Sequence, residues 1–359
     1  MTVFIMTNLK RCLFWLIFLV EAMCSGALVA NAQAEKPIFE AAFSSDGQYV
    51  SAAMPGKVVT WRVSTKVVQN ITQTSDFISG IDTSGNTPRL GMITFNGVVH
   101  KLQYYSLKTG KRVHSITFAS GLYPFYGGIL IQNNRYLESG PNGTIVYLAN
   151  LKTHRRYLLK LPYPVDIDMH EFNVSGSGNL VAYLAARYIW FSRMKLNGYS
   201  TFVRMFRAEP GVWPHVMSSD AIGDKIAVIG QNGELLQLWT KAGPTCKIIG
   251  DNLRIRRTGL AMAPDGASLA VADFDGRVHI YSTSTRLSLG VKDFSGRTTS
   301  TANRASGYPP LPLLDIESLA IRSLQYSPDS QSLFVGTRTG HAYLWNVSTG
   351  LVSSLPVER

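Results

Sequence analysis

The chain has 359 residues, of which 45% are hydrophobic, 16% charged and 11% aromatic, with a formal charge of +12. A chain of this size and apolar content buries a large core, which excludes disorder over most of its length. Collagen-like and disulfide-framework classes are excluded too, because Gly numbers 31, Pro 16 and Cys only 3.

The first segment reads as an address. Lys10 and Arg11 precede an apolar run from Cys12 to Val20, broken by Glu21, and small residues then lead to Ala30-Asn31-Ala32. That pattern predicts a secretory signal peptide over residues 1–32. The run is too short to span a bilayer, which takes about 20 residues, and no second long apolar stretch follows. The expected mature chain is one domain, 33–359, with net charge +11 and a single cysteine, Cys246. One thiol forms no internal disulfide, so packing must supply the stability. Cys246 is expected to be a buried small apolar residue in a short strand, Thr245 to Ile249.

From residue 38 onward short strand patterns recur between Gly, Asn, Asp and Ser clusters, with no sustained helical period. A Gly opens an apolar run ending in a large residue at Gly56 to Trp61, Gly97 to Leu102, Gly143 to Tyr147, Gly233 to Trp239, Gly276 to Tyr281 and Gly340 to Trp345. The steps are 41, 46, 90, 43 and 64 residues. Halving the 90 places a degenerate unit at Arg187 to Phe191, so the count is seven. Two more turns repeat in phase. One is of the Ser44-Ser45-Asp46-Gly47 kind, seen again at Ser175–Gly178, Ala263–Gly266 and Ser327–Ser330. The other is of the Ser64-Thr65-Lys66 kind, seen again at Lys108–Lys111, Lys152–His154, Ser284–Arg286 and Ser348–Gly350. Each unit therefore reads as four strands joined by three turns. Such a unit buries both faces only between neighbours.

The Ser-Pro-Asp-Gly-type turn, the strand ending in Trp and the Ser-Thr-Gly turn resemble those of WD-repeat β-propellers, over about residues 38–357. Ile321 to Val357 carries the resemblance most fully. The resemblance implies an all-β, seven-bladed propeller of four-stranded antiparallel blades. The chain departs from it by lacking the Gly-His pair that usually opens a repeat, and Arg62, Thr240 and Asn346 stand where Asp usually follows Trp. The first and last units each hold their own fourth strand, Lys66–Ile71 and Leu351–Val357. Contact between them is thus expected through packed faces, without exchange of a strand between chain ends. Asp293 to Glu317 is an insertion loop with Pro309-Pro310-Leu311-Pro312.

The recurring aromatics Trp61, Tyr147, Trp190, Trp239, Tyr281 and Trp345 are expected in the core. His100 and His279 fall at equivalent strand positions, so the repeat explains them. Asp166, Asp168 and His170 alternate along an extended segment and point to one side, a ligand set for a divalent cation. No cofactor signature is present. Basic residues concentrate at Arg155-Arg156 and at Arg254, Arg256 and Arg257, candidates for an anionic partner. The expected role is a non-catalytic exported scaffold, periplasmic or extracellular, that meets envelope or secreted proteins, or an anionic lipid or glycan, through one face. Nucleic acid does not suit that compartment. The alternative is a periplasmic propeller enzyme, a hydrolase or quinoprotein-like dehydrogenase, with a site at the channel mouth.

Overall fold

The computed structural model describes residues 36–83, 88–96, 99–119, 128–131, 135–139, 146–150, 155–159, 169–174, 180–185, 188–194, 200–207, 214–230, 236–240, 257–273, 275–294 and 321–357. The signal-peptide segment, Cys246 and the body of the insertion loop lie outside these residues. The described residues are all-β and contain no helix, and so none long and apolar enough to cross a membrane.

Seven antiparallel sheets follow one another along the described chain, six of four strands and one of three. Sheet 1 holds β1 (Glu40–Phe43), β2 (Tyr49–Met54), β3 (Lys57–Arg62) and β4 (Val67–Gln73). Sheet 2 holds β5 (Phe77–Asp82), β6 (Arg89–Phe95), β7 (Val99–Ser106) and β8 (Arg112–Ala119). Sheet 3 holds β9 (Gly128–Ile131), β10 (Arg135–Ser139), β11 (Val146–Asn150) and β12 (Arg155–Leu159). Sheet 4 holds β13 (Met169–Val174), β14 (Leu180–Ala185), β15 (Tyr188–Met194) and β16 (Ser200–Arg207). Sheet 5 holds β17 (Pro214–Ser219), β18 (Lys225–Gly230) and β19 (Leu236–Thr240). Sheet 6 holds β20 (Arg257–Met262), β21 (Ser268–Asp273), β22 (Arg277–Ser282) and β23 (Ser288–Asp293). Sheet 7 holds β24 (Ile321–Tyr326), β25 (Ser332–Thr337), β26 (Ala342–Asn346) and β27 (Val352–Leu355). The degenerate unit expected near residue 187 is sheet 4, with Tyr188–Met194 as its third strand.

Neighbouring sheets touch through their first strands. β1 lies beside β5 and β24, β9 beside β5 and β13, and β17 beside β13 and β20; β20 in turn contacts β24. This is a propeller-like arrangement. Middle strands are covered on both faces, so β2 and β21 are almost wholly buried, Ser51 and Asp273 included. Fourth strands are covered far less: β23 is exposed along nearly its whole length.

Among the described residues, four core clusters each straddle two sheets. Val50, Val59 and Trp61 of sheet 1 pack on Phe334, Leu344 and Leu355 of sheet 7. Ala53 and Val58 pack on Ile81, Leu90 and Met92 of sheet 2. Ala227 and Leu238 of sheet 5 meet Leu260 and Val271 of sheet 6, and Ala270 and Ile280 of sheet 6 meet Leu333 and Trp345 of sheet 7. The recurring aromatics Trp61, Tyr281 and Trp345 are buried as expected. The side chains of Tyr147, Trp190 and Trp239 lie outside the described residues.

The first and last sheets meet mainly through these faces, and each draws its four strands from one continuous segment. The sequence did not foretell two additional ties. Ile38 N–H donates to Thr337 O at 3.1 Å, and the Trp61 indole donates to Pro356 O at 2.7 Å. The entering segment lies so close to sheet 7 that a Cβ on Gly340 (φ +85°) would sit 2.7 Å from Lys36 O, and one on Gly336 2.5 Å from Ile38 Cγ2. Both glycines are therefore fixed by that approach.

Gly340→Ala should cost about 1–3 kcal/mol in denaturant unfolding, from left-handed strain plus overpacking. Gly290→Ala, where a Cβ meets nothing within 4 Å, should shift stability by less than about 0.5 kcal/mol. The two indoles give a second comparison. Trp61→Phe breaks the bond to Pro356 and should cost about 1–3 kcal/mol more than Trp345→Phe, because the buried Trp345 Nε1 has no hydrogen-bond partner.

Candidate anion-binding rim

Strand direction alternates within a sheet, so the first and third turns share one end, here the upper end. Backbone bonds join the two turns: Val63 N to Gln48 O at 2.9 Å, Thr283 N to Ala267 O at 3.0 Å and Val347 N to Gln331 O at 2.9 Å.

The inner, first turns are built by a hydroxyl and a carboxylate. Ser44 Oγ accepts from Tyr49 N at 2.9 Å and donates to Asp46 Oδ1 at 2.6 Å, while Asp46 Oδ1 also accepts from Gln48 N at 3.0 Å. Ser327 and Asp329 repeat this with Ser332 N and Gln331 N. Ala263 removes the hydroxyl from the third such turn, yet Asp265 still accepts from Ala267 N at 2.8 Å. Asp220, buried, takes the place of the serine in sheet 5 and accepts from Asp224 N at 2.9 Å; burial pushes its carboxyl up. Lys225 reaches across to sheet 6, donating to Gly266 O at 2.7 Å and Thr283 Oγ1 at 3.0 Å.

The outer, third turns share a different build. Each closes on a bond from its last residue to the carbonyl four back: Lys66 to Arg62, Gly110 to Ser106, Arg286 to Ser282 and Gly350 to Asn346. That last residue is left-handed in all four, with φ of 60°, 68°, 64° and 74°. Glycine is the comfortable occupant of such a position. Two turns instead place a cation there, Lys66 and Arg286, at a cost of about 1 kcal/mol each. Lys108, Lys111 and Arg112 add charge at the turn of sheet 2 and are exposed. That turn is clamped to sheet 1, because Asn70 Nδ2 donates to Leu107 O at 2.7 Å and Gln69 Nε2 to Lys108 O at 3.0 Å. Acidic side chains thus hold the inner turns of sheets 1, 5, 6 and 7, and basic ones crown the outer turns of sheets 1, 2 and 6.

Arg155 and Arg156 are the first residues of β12, the fourth strand of sheet 3, and so begin it at the upper end; their side chains lie outside the described residues. Arg257 opens β20, opposite Asp273, at the lower end of sheet 6. Arg254 and Arg256 lie outside the described residues. His170 is the second residue of β13, a first strand, and Asp166 and Asp168 lie outside the described residues. Among the described residues, no three His, Cys, Asp or Glu side chains group as metal ligands do.

Two polar pairs elsewhere are built into the sheets. His279 Nε2 lies 3.0 Å from Asp273 Oδ2, and Asp273 Oδ1 accepts from Asp275 N at 3.0 Å and Arg277 N at 2.9 Å. Asp273 thereby holds the hairpin that carries His279, which explains the histidine structurally. Thr337 does the same work in sheet 7, accepting from His341 N at 2.9 Å. Glu40, on β1, accepts from Ile81 N of β5 at 2.9 Å and so bridges the first strands of sheets 1 and 2. Burial, aided by the nearby Asp82, pushes its carboxyl up to about 7 despite that hydrogen bond.

A carboxyl raised on folding binds its proton more tightly in the native state, so its contribution is full below its ordinary value and lost as pH rises through about 7. Wild-type stability should therefore fall by about 1–3 kcal/mol between pH 4.5 and 7 from this group. Glu40→Gln keeps an acceptor for Ile81 and should remove that slope, read as unfolding free energy against pH.

No family model matches the chain, and no curated protein matches it. Many solved chains, 1708 in all, share its fold to a significant degree. One of them, "KlHsv2 with loop 6CD replaced by a Gly-Ser linker", aligns with a TM-score of 0.59 at 12% identity, covering 89% of this chain and 97% of that one. At that identity the likeness is one of fold alone.

Proposed function

We propose that the chain is an exported, non-catalytic seven-bladed β-propeller of WD-repeat type, whose upper rim binds an anionic partner, either a protein or another envelope component. The succession of first-strand contacts from sheet to sheet, returning from β24 to β1, supports the bladed ring. The fold likeness to a solved structure over 89% of the chain supports it as well. Export after removal of residues 1–32 rests on the Lys10-Arg11 start, the short apolar run and Ala30-Asn31-Ala32.

The binding role is carried by one observation. At the left-handed position of the outer turns, where sister turns have Gly110 and Gly350, the chain keeps Lys66 and Arg286. Folding alone favours glycine there, so the retained cations point to a use for charge at that rim. Lys108, Lys111 and Arg112 extend the same rim.

The test replaces Lys66 and Arg286 by glycine and Lys111 and Arg112 by alanine in one variant. Glycine relieves strain, so the variant should fold at least as well as the wild type. Its affinity for a soluble polyanion such as dextran sulfate should drop about tenfold or more at low salt. Arg277→Ala with Arg322→Ala, at the lower end, should leave that affinity unchanged. Equal binding by all three proteins would defeat the assignment of the rim.

A further inference from the structure

We infer that the upper outer rim of sheets 6, 7, 1 and 2 docks on an anionic lipid surface, a step that rests on the anion-binding reading above and names its partner. Among the described residues eight large apolar side chains are exposed, and six of them gather on the outer turns and fourth strands of sheets 1, 2, 6 and 7, while Phe77 and Ile222 stand apart. Val67, Leu287 and Leu351 occupy one repeat position, the residue directly after the left-handed turn residue, and are 59%, 68% and 69% exposed. Val113, 51% exposed, lies two residues further along in sheet 2 than that position and directly follows Arg112. Three of the four therefore stand next to a cation in sequence: Lys66-Val67, Arg112-Val113 and Arg286-Leu287. Leu289 and Val291 extend the exposed apolar surface along β23.

A cation with an adjacent exposed aliphatic side chain is the combination that a charged bilayer surface selects. The headgroups meet the charge, and the aliphatic group enters the boundary below them. The long stems of Lys and Arg adapt to the same boundary. The placement favours a flat partner. Sheets 6, 7, 1 and 2 are consecutive neighbours, and each contributes the same turn at the same end. A planar surface meets these repeated points together, whereas a compact protein would engage only some of them.

The edge strands themselves argue against a partner that adds a strand. In sheets 1, 2 and 6 the ladder between third and fourth strands is broken by a bulge, at Thr60/Trp61, Tyr104/Tyr105 and Ile280/Tyr281, while that of sheet 7 is regular. A bulged edge is a poor template for pairing. The exposed residues beside those bulges are thus left for contact through side chains. On the inner turns of sheets 1, 6 and 7, Asp46, Asp265 and Asp329 each accept a backbone N–H, Asp82 ends the inner strand β5 of sheet 2, and the outer turns of these four sheets contain no acid. The outer circle therefore keeps its positive sign.

The experiment sediments the purified protein with vesicles of phosphatidylglycerol and phosphatidylcholine, or of phosphatidylcholine alone. Dextran sulfate binding is measured in parallel. Wild type is expected to bind only the anionic vesicles, more weakly as salt is raised. A variant with Val67, Val113, Leu287 and Leu351 all changed to serine should bind those vesicles about tenfold more weakly or worse, and still bind dextran sulfate as the wild type does. The substitutions are at exposed sites, and far-ultraviolet circular dichroism and the unfolding midpoint check that the variant is folded. Equal binding to neutral vesicles, or an apolar variant that binds anionic vesicles as well as wild type, would overturn the lipid assignment. Binding to dextran sulfate without binding to anionic vesicles would overturn it while leaving the anion-binding reading in place. Failure to bind either would remove both.

Discussion

Everything in this molecule depends on burial of middle strands between neighbouring sheets. A lone four-stranded sheet of this size offers two apolar faces and no way to cover them. Val58 and Val59 are adjacent in β3 and point to opposite faces, yet both are fully buried, one in the cluster shared with sheet 2 and the other in the cluster shared with sheet 7. Burying such side chains stabilises by roughly 1.5–3 kcal/mol each. The gain exists only when both neighbours are present, so stability is a property of adjacent pairs of sheets. The described residues include no cysteine, so packing must hold each junction between them, and the close contacts at Gly336 and Gly340 show how tight the junction of the first and last sheets is.

This division of labour explains why the turns, and not the faces, are free to vary. A face residue answers to two sheets at once. A turn residue answers only to its own hairpin, whose geometry is set by a few hydrogen bonds. Asn346 holds the outer turn of sheet 7 by accepting from Thr349 N at 2.9 Å, and Ser282 holds that of sheet 6 by accepting from Thr285 N at 3.2 Å. Different caps give the same turn, so the left-handed residue that follows is available for charge. Sheet 7 uses glycine there and sheets 1 and 6 use Lys66 and Arg286.

Much of the fold was legible in the sequence because turn chemistry is local. Gly56, Gly276 and Gly340 have the positive φ that their hairpins demand, at the spacing from which the units were counted. The aromatic ends Trp61, Tyr281 and Trp345 are buried for the reason that their periodicity implies. What the sequence hid was non-local. The bond from Ile38 to Thr337 joins residues nearly 300 positions apart, and no pattern around Ile38 announces it. Nothing local marks Glu40 either, since its raised protonation comes from burial and from Asp82 at the end of the neighbouring sheet's β5. The rim was not legible either, because Lys66 and Arg286 are single residues whose meaning appears only when their backbone angle is compared with that of Gly110 and Gly350.

The outer strands carry the tension between folding and use. An exposed edge invites pairing with another chain, and exposed aliphatic side chains sharpen that hazard. Strand β23 shows both features, with Leu289 and Val291 exposed on a strand that among the described residues pairs only with β22. The fold answers with a bulge that interrupts the ladder at the same place in sheets 1, 2 and 6, and with Lys292 and Asp293 at the end of β23. If these apolar residues were incidental, substitution by polar ones would serve the fold better, since none of them packs in a core. Their recurrence directly after the left-handed residue, in three separate sheets, is what a shared contact surface requires and what solubility alone would not retain.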